Sequence, residues 1–521
     1  MSGSGGSAVR DEVDVIVVGA GSAGAVVAAR ASEDPNRTVL LLDAGPDYPL
    51  AADLPDDLRD GRDNSYVDHD WGLAYTPTVA GREGPFPRGR VVGGSSAVNT
   101  AIALRPAPED CDHWAALGNP AWAWDRMLPA LRRLERDLDF GHEPHHGDAG
   151  PITIRRHPPA ELVPTHDAFL DAATELGYDA CPDANHPSAL GAGPQPMNKL
   201  GRLRVSVAIG YLAAARHRDN LRVLGGRVCR RVLVEGGRAV GVEVETADGT
   251  VEVHRARLVV VSAGAVHTPG VLVRSGIGDR RELDALGIDV VAHLPGVGAG
   301  LQDHPAVAVV ARLRDPSLAA SDLPLIQTIL RYTAPESAHR ADLQIELLTR
   351  VGRRPGEGLI GVAAVLEQCE SRGEVRQTSV DPRSSPRIEP RFCADDRDAV
   401  RLAGAVDDAM GFLQRGALAD MVDEVVFPAP GRPFDAEARL HVVRTRAGSG
   451  YHPTGTARMG PTGDPGAVVD ERGRCHAVDG LVVADASILP TVPRANTNLT
   501  SIAVGERLGE WLRTDPAGFG L

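Results

Sequence analysis

Between Val13 and Gly24 the chain reads VDVIVVGAGSAG, a β-branched run that ends in glycines spaced G-x-G-x-x-G and opens into the Ala-rich stretch AVVAARA. Gly19 permits a tight turn, Gly21 lets the backbone approach a pyrophosphate, and Gly24 lets a helix pack on a strand with its N-terminus facing the negative charge. Ser22 and Ala23 lie in the same loop. A second apolar strand, RTVLLLDAG, follows and carries Asp43 and Ala44 at its end. A carboxylate there accepts hydrogen bonds from ribose hydroxyls and repels a 2′-phosphate, so this βαβ unit is expected to hold a dinucleotide other than NADP. The motif by itself leaves FAD and NAD open.

One such unit uses a small part of 521 residues. The rest is organised by changes in pattern. Residues 45–87 are rich in breakers and read as a long surface excursion, of the kind that is usually functional. A helical pattern runs from Ala115 to Leu138, with Leu128, Leu131, Leu134 and Leu138 as a core-facing stripe. Residues 221–261 alternate, with Gly236-Gly237 and Asp248-Gly249 at hairpin positions, and predict a three-stranded meander feeding the buried strand Leu258–Val261. Residues 306–445 show less pattern, although LPLIQTIL and LIGVAAVL stand out as apolar segments. A buried strand at 481–485 and a final helix, TSIAVGERLGEWL, close the chain. This alternation predicts a nucleotide-binding module assembled from three separated pieces, with a second module inserted between them, and no internal repeat.

Charge and cysteine usage narrow the partners. A formal charge of -15 repels phosphate backbones and anionic lipid, so no nucleic acid partner is expected and small neutral substrates fit better. Six scattered cysteines without a C-x-x-C pair predict reduced thiols and a cytoplasmic protein. The apolar stretch from Val13 to Ala29 is broken by glycines and preceded by acidic residues, so it is read neither as a signal peptide nor as a transmembrane segment. Residues 1–10 are expected to form a flexible tail.

Two further stretches bear on chemistry. GRVVGGSSAVNTAIALRP, residues 89–106, offers many backbone donors with little bulk and could lie flat against a planar, acceptor-rich ring. YHPTGTARMG, residues 451–460, puts the imidazole of His452 before a tight Gly-Thr turn. An unperturbed imidazole has a pKa near 6.5 and at neutral pH is mostly a free base, able to take the proton of an alcohol. HEPHHGD, residues 142–148, gathers histidines and carboxylates, but its Pro/Gly setting lacks metal-ligand spacing and no metal is expected there. LRRLERD, residues 131–137, reads as a solvated helix face, and no G-x-S-x-G nucleophile elbow occurs.

Taken together, residues 89–112, GAVHTPGVLVRSGIG at 264–278, YHPTGTARMG and VADASILPTVPRANTNLT resemble the signature segments of the glucose-methanol-choline (GMC) family of FAD-dependent oxidoreductases. The likeness runs from Val13 to about Leu512. It implies a mixed α/β fold: a Rossmann-like FAD-binding domain built from 11–150, 200–305 and 446–521, and a substrate-binding domain with an antiparallel sheet from 151–199 and 306–445. Carried over residue by residue, it implies FAD with its ADP half on Gly19, Gly21, Ser22, Ala23, Gly24, Asp43 and Ala44, and adenine against the backbone of Val228. Arg90, Val92, Gly94, Asn99, Ala263, Gly264, Asp485, Ala486, Asn498 and Leu499 complete the implied cofactor set. His452 matches the family's base and Asn496 its second active-site position, whose amide can donate to a developing alkoxide for roughly 3 kcal/mol in a dry site.

The implied activity is oxidation of a primary or activated alcohol to an aldehyde, with hydride passing to flavin N5 and electrons then to oxygen or to a quinone or protein acceptor. The motifs are most similar to the bacterial alcohol, choline and hydroxymethylfurfural branch. Where some relatives tether FAD through a histidine this sequence has Val98, which implies non-covalent FAD. Gly450 replaces a larger aliphatic residue of several oxygen-using relatives, which keeps a dehydrogenase in play. The alternative activity is a flavin-retaining lyase of the hydroxynitrile lyase type that uses the same histidine.

Overall fold

A computed structural model describes residues 12–352, 356–431 and 433–521. The tail expected at 1–10 lies outside the described residues. The glycine-rich unit folds as the strand Val13–Val18, the helix Gly24–Ala31 and the strand Val39–Leu42. Val13–Val18 sits between Val39–Leu42 and the end of Val251–Val261; Leu221–Leu224 flanks the first of these and Leu481–Val483 the second, all parallel. Covered on both faces, these strands bury nearly every side chain, which is why they read as continuous apolar runs.

The long strand Val251–Val261 joins two sheet styles. Its second half pairs in parallel with Val13–Val18, while its first half pairs antiparallel with Arg238–Thr246, which turns back onto Arg227–Glu235. Gly236 and Gly237 make the two-residue turn with φ of +57° and +80°, the left-handed pair that a tight hairpin of this twist requires. The meander is therefore present with one revision. Leu221–Leu224 belongs to the edge of the parallel sheet, so the meander's first strand is Arg227–Glu235, which carries Val228.

The second large sheet is antiparallel throughout, in the order Val422–Phe427, Pro305–Leu313, Leu359–Leu366, Leu343–Leu348, Thr328–Tyr332, Gly191–Pro194. Its faint signal has a physical cause. Alternate residues do point to opposite faces, but both faces are enclosed: Ile345, Leu347, Ile360 and Val362 face an apolar core under the helix Asp396–Phe412, whereas Gln344, Glu346, Ala363 and Val365 face a cavity. Gly448–Ser449 pairs with the start of Pro305–Leu313 and so fixes the chain just before His452 to this sheet.

Two expectations change. The helical pattern at 115–138 is two helices, Pro108–Ala116 and Trp124–Leu134, because Gly118 turns left-handed at φ +95° and Pro120 starts a new 3-10 turn. Its buried stripe is Met127, Ala130, Leu131 and Leu134, while Leu138 lies past the helix end and is exposed. The excursion at 45–87 is not merely superficial either. It buries Leu54, Leu58, Leu73, Tyr75 and Phe86 and lends Asn64, Tyr66 and Trp71 to the cavity wall. Among the described residues no helix is long and apolar enough to cross a membrane, and all six cysteines are unpaired.

Candidate active site

A cavity of about 920 Å³ lies between the parallel sheet and the antiparallel sheet. Its floor is backbone. A Cβ on Gly24 would come 2.0 Å from the Gly19 carbonyl oxygen, and one on Gly94 would come 2.6 Å from Cα of Gly21. The loop at 19–24 and the loop at 89–99 thus meet without side chains between them, leaving room for a ligand against bare amides. Gly19, Gly21, Ser22, Ala23, Asp43 and Ala44 line this end. Each Asp43 carboxylate oxygen accepts one backbone N–H at 2.8 Å, from Ala20 and from Gly45. Burial pushes its carboxyl up to about 7.

Further along stand Gly94 and Asn99 from one loop, Val228 from the meander, and Ala263, Gly264, Asp485 and Ala486 from the ends of parallel strands. Asp485 accepts from Ser487, Gly264 and Thr268, which ties these turns together. Asn498 accepts from the Ser22 hydroxyl at 2.9 Å, and its buried amide nitrogen has no partner. Gly24, Arg90, Val92 and Leu499 do not line the cavity. Gly24 packs on Gly19, the Arg90 guanidinium lies 5.0 Å from the centre of the Trp71 ring, and Val92 and Leu499 belong to the core beneath.

The other end gathers His452, Asn496 and a supporting shell. The Asn496 amide nitrogen is 3.0 Å from Nε2 of His452, and Nδ1 of His452 is 3.0 Å from Nδ1 of His304. Nε2 of His304 lies 2.8 Å from the Pro493 carbonyl oxygen, which can only accept. That contact fixes the protons: His304 carries hydrogen on Nε2, its Nδ1 is an acceptor, His452 donates from Nδ1, and Nε2 of His452 is a bare lone pair receiving the Asn496 N–H. Burial, with the His304 ring and the Arg88 guanidinium nearby, holds the His452 imidazole well below its usual range. It rests as a neutral base aimed into the cavity.

The backbone around it is over-determined. Tyr451 has φ +67°, costly for an aromatic residue. Its N–H donates to the Ser449 hydroxyl, its carbonyl accepts from Arg88, and the next N–H, that of His452, donates to Asp303 at 2.8 Å. Arg494 reaches the buried Asp110 through both its backbone N–H and its guanidinium, which fixes the chain two residues before Asn496. Asn496 directly precedes the 18-residue helix Thr497–Thr514, whose positive end faces the cavity, and makes no side-chain capping bond to it. Sequence reasoning missed Asp303, His304, Arg88 and the cavity acids Glu346 and Glu367. The one available signal was LQDHP, a polar pair set directly before an apolar strand.

The histidine cluster at 142–148 is a built structure rather than a flexible loop. His146 is fully buried, with Nδ1 2.8 Å from Glu135 and Nε2 3.0 Å from Asp183. Both nitrogens face carboxylates, an arrangement that favours a proton on each. Arg156 bridges Asp137 and Asp183, and Arg105 pairs with Glu135, which balances the charge. Burial depresses the His146 pKa, but Asp183 and Glu135 outweigh it and the net shift is upward. A raised folded-state pKa stabilises below the unfolded value of about 6.5 and loses that contribution as pH rises through the folded pKa. The stability gap between the parent and His146→Gln, read by urea unfolding, is therefore expected to be widest near pH 6 and to shrink in alkaline buffer; a gap independent of pH would refute the charged assignment.

Models of the GMC oxidoreductase family match residues 13–306 and 369–505. The chain belongs to the GMC oxidoreductases. It is 34% identical over 530 residues to a 5-(hydroxymethyl)furfural oxidase of Methylovorus sp., covering 96% of this chain and 98% of that protein. It is also 32% identical over 545 residues to an oxygen-dependent choline dehydrogenase of Brucella anthropi, covering 96% and 95%. A pyridoxine 4-oxidase structure from Mesorbium loti superposes with a TM-score of 0.89 at 29% identity, covering 96% of this GMC oxidoreductase and 99% of its own chain. GMC oxidoreductases are FAD-dependent. The donor set here fits that cofactor: a side-chain-free glycine floor, the buried carboxylate of Asp43 and an Asn498 amide nitrogen with no partner among the described residues.

Proposed function

We propose that this GMC oxidoreductase binds FAD non-covalently in the cavity and oxidises a primary or activated alcohol to an aldehyde, with His452 as the base and Asn496 as donor to the alcohol oxygen. The unprotonated Nε2 of His452 on the cavity wall, accepting the N–H of the Asn496 amide, is the observation that carries this reading. A substrate hydroxyl that displaces the Asn496 N–H from Nε2 gives its proton to Nε2 and takes that N–H onto its own oxygen, so negative charge developing there meets a nearby donor. Bound FAD supplies the hydride acceptor. The 449–452 turn and the Asp110-anchored 494–496 segment hold in place the backbones that carry base and donor, which is what positioning contributes to rate.

Val98, apolar and on the cavity wall, supports a dissociable flavin. In this reading 11–150, 200–305 and 446–521 hold the cofactor while 151–199 and 306–445 roof the substrate end, and reduced thiols suit a cytoplasmic setting. Electrons leave to oxygen or to a quinone or protein acceptor. A Cβ on Gly450 would press to 3.1 Å from Nδ1 of His452, so glycine keeps this corner open. Mixing the FAD-loaded enzyme anaerobically with a panel of alcohols is expected to bleach the flavin absorbance, and repeating the panel in air with peroxide detection identifies the acceptor. Aldehyde release from a cyanohydrin with the flavin left oxidised would replace this reading with the lyase.

A further inference from the structure

Behind His452 the structure continues into buried groups that the reaction above leaves unused. His304 is fully buried, and its Nδ1 lone pair faces the Nδ1–H of His452 at 3.0 Å. The same nitrogen lies 3.5 Å from Oε2 of Glu367, a buried oxygen with no hydrogen-bond partner. The first imidazole and the Glu367 carboxyl group thus both face the one Nδ1 lone pair of the second imidazole. Charges surround the far end: Arg331 acts on Glu367 from the strand Thr328–Tyr332, Asp110 from the helix Pro108–Ala116, and Asp303 from the turn before Pro305, while Glu346 shares the cavity wall.

We propose that His304 and Glu367 form an internal proton acceptor behind the base, so that the proton taken from the alcohol is passed inward rather than held beside the reacting carbon. The proposal rests on the oxidation reading above. In the step, the alcohol O–H bond breaks and an N–H bond forms at Nε2 of His452; the Nδ1–H bond of His452 breaks and one forms at Nδ1 of His304. Bound FAD would supply the acceptor for the hydride of the carbinol carbon, so the electrons balance as in the parent reaction. One positive charge ends on His304, whose Nε2–H stays on Pro493, and the Glu367 carboxyl oxygen faces the new Nδ1–H. His452 becomes neutral again in its other tautomer, with Nε2–H donating to the oxygen of the aldehyde.

Ionised Glu367 stabilises that imidazolium and the neutral acid does so less, so its titration should appear in the rate. Burial pushes the Glu367 carboxyl up to about 8, with Arg331 opposing and Asp110 and Asp303 adding to the rise. The parent's flavin-reduction rate, measured anaerobically at saturating alcohol, is therefore expected to climb severalfold as pH rises through about 8. Glu367→Gln, which keeps the shape, should lose that step and fall about tenfold on the alkaline plateau, a change of about 1.4 kcal/mol in barrier. Glu367→Asp should restore part of the step. A Glu367→Gln profile that superimposes on the parent's overturns the relay while leaving His452 as base.

Nitrogen-15 imidazole spectra of the FAD-loaded protein, assigned with His304→Gln and His452→Gln, read the proton positions without any substrate. Nδ1–H on His452 and Nε2–H on His304 are expected. Finding Nε2–H on resting His452 would sink both the relay and the base assignment.

Discussion

Replacing His452 by alanine is expected to slow anaerobic flavin reduction by alcohol about 10²- to 10⁴-fold, the span a positioned base contributes, while FAD stays bound. The separation of effects follows from the layout. His452 occupies one end of the cavity, whereas the glycine floor and Asp43 lie at the other, and neither they nor Asn498 hydrogen-bond to its ring. Removing the imidazole takes away the proton acceptor but leaves the Asn496 donor and the bound cofactor, so the residual rate should exceed that of free flavin and alcohol. The pH dependence sharpens the test. A base with a depressed pKa is deprotonated above that value, so the parent should keep its proton-accepting form through the mildly acidic range where an ordinary imidazole is already charged. His452→Ala flattens the acid limb. A variant that reduces at the parent rate, or one that loses FAD in proportion to activity, would show that the imidazole has another role.

How much of this was visible in the sequence differs from element to element. The parallel strands announced themselves because Val15, Ile16, Val17 and Leu258–Val261 are buried on both faces and must be apolar throughout. The hairpin at Gly236-Gly237 was legible because only glycine adopts that turn cheaply. The second sheet was not, since its polar positions face an internal cavity and Ala and Val serve on both sides. At the site, His452 was read from its motif and Asn496 through the family resemblance. What sequence could not supply was direction: which nitrogen is bare follows from the Pro493 carbonyl, 189 residues away from His304 along the chain. His304, Asp303 and Glu367 are ordinary residue types in unremarkable local settings, and their importance exists only once the chain folds back on itself.

The same long-range logic governs stability, and Glu506 concentrates it. This carboxylate is 1% exposed on the helix Thr497–Thr514, yet it accepts from Arg30 at 2.7 Å, from Arg133 at 2.7 Å and from the Tyr211 hydroxyl at 2.6 Å. Those partners come from Gly24–Ala31, from Trp124–Leu134 and from the π-helical turn Ala208–Leu212, so one side chain pins three distant segments to the C-terminal helix. Glu506→Ala strands two guanidinium groups and a phenol that were desolvated around it. Breaking a buried pair from one side costs about 3–5 kcal/mol; with Arg133 36% exposed and able to turn to water, the loss should fall near about 3 kcal/mol, read as a lower urea midpoint. Glu506→Gln keeps the volume and two acceptor lone pairs and should lose less. Because the helix begins at Thr497, just after Asn496, and carries Asn498 into the cavity, loosening it should also weaken FAD retention, which His452→Ala does not touch. An unchanged midpoint in Glu506→Ala would mean that the apolar contacts between Gly24–Ala31 and Thr497–Thr514 hold these segments together without the charge.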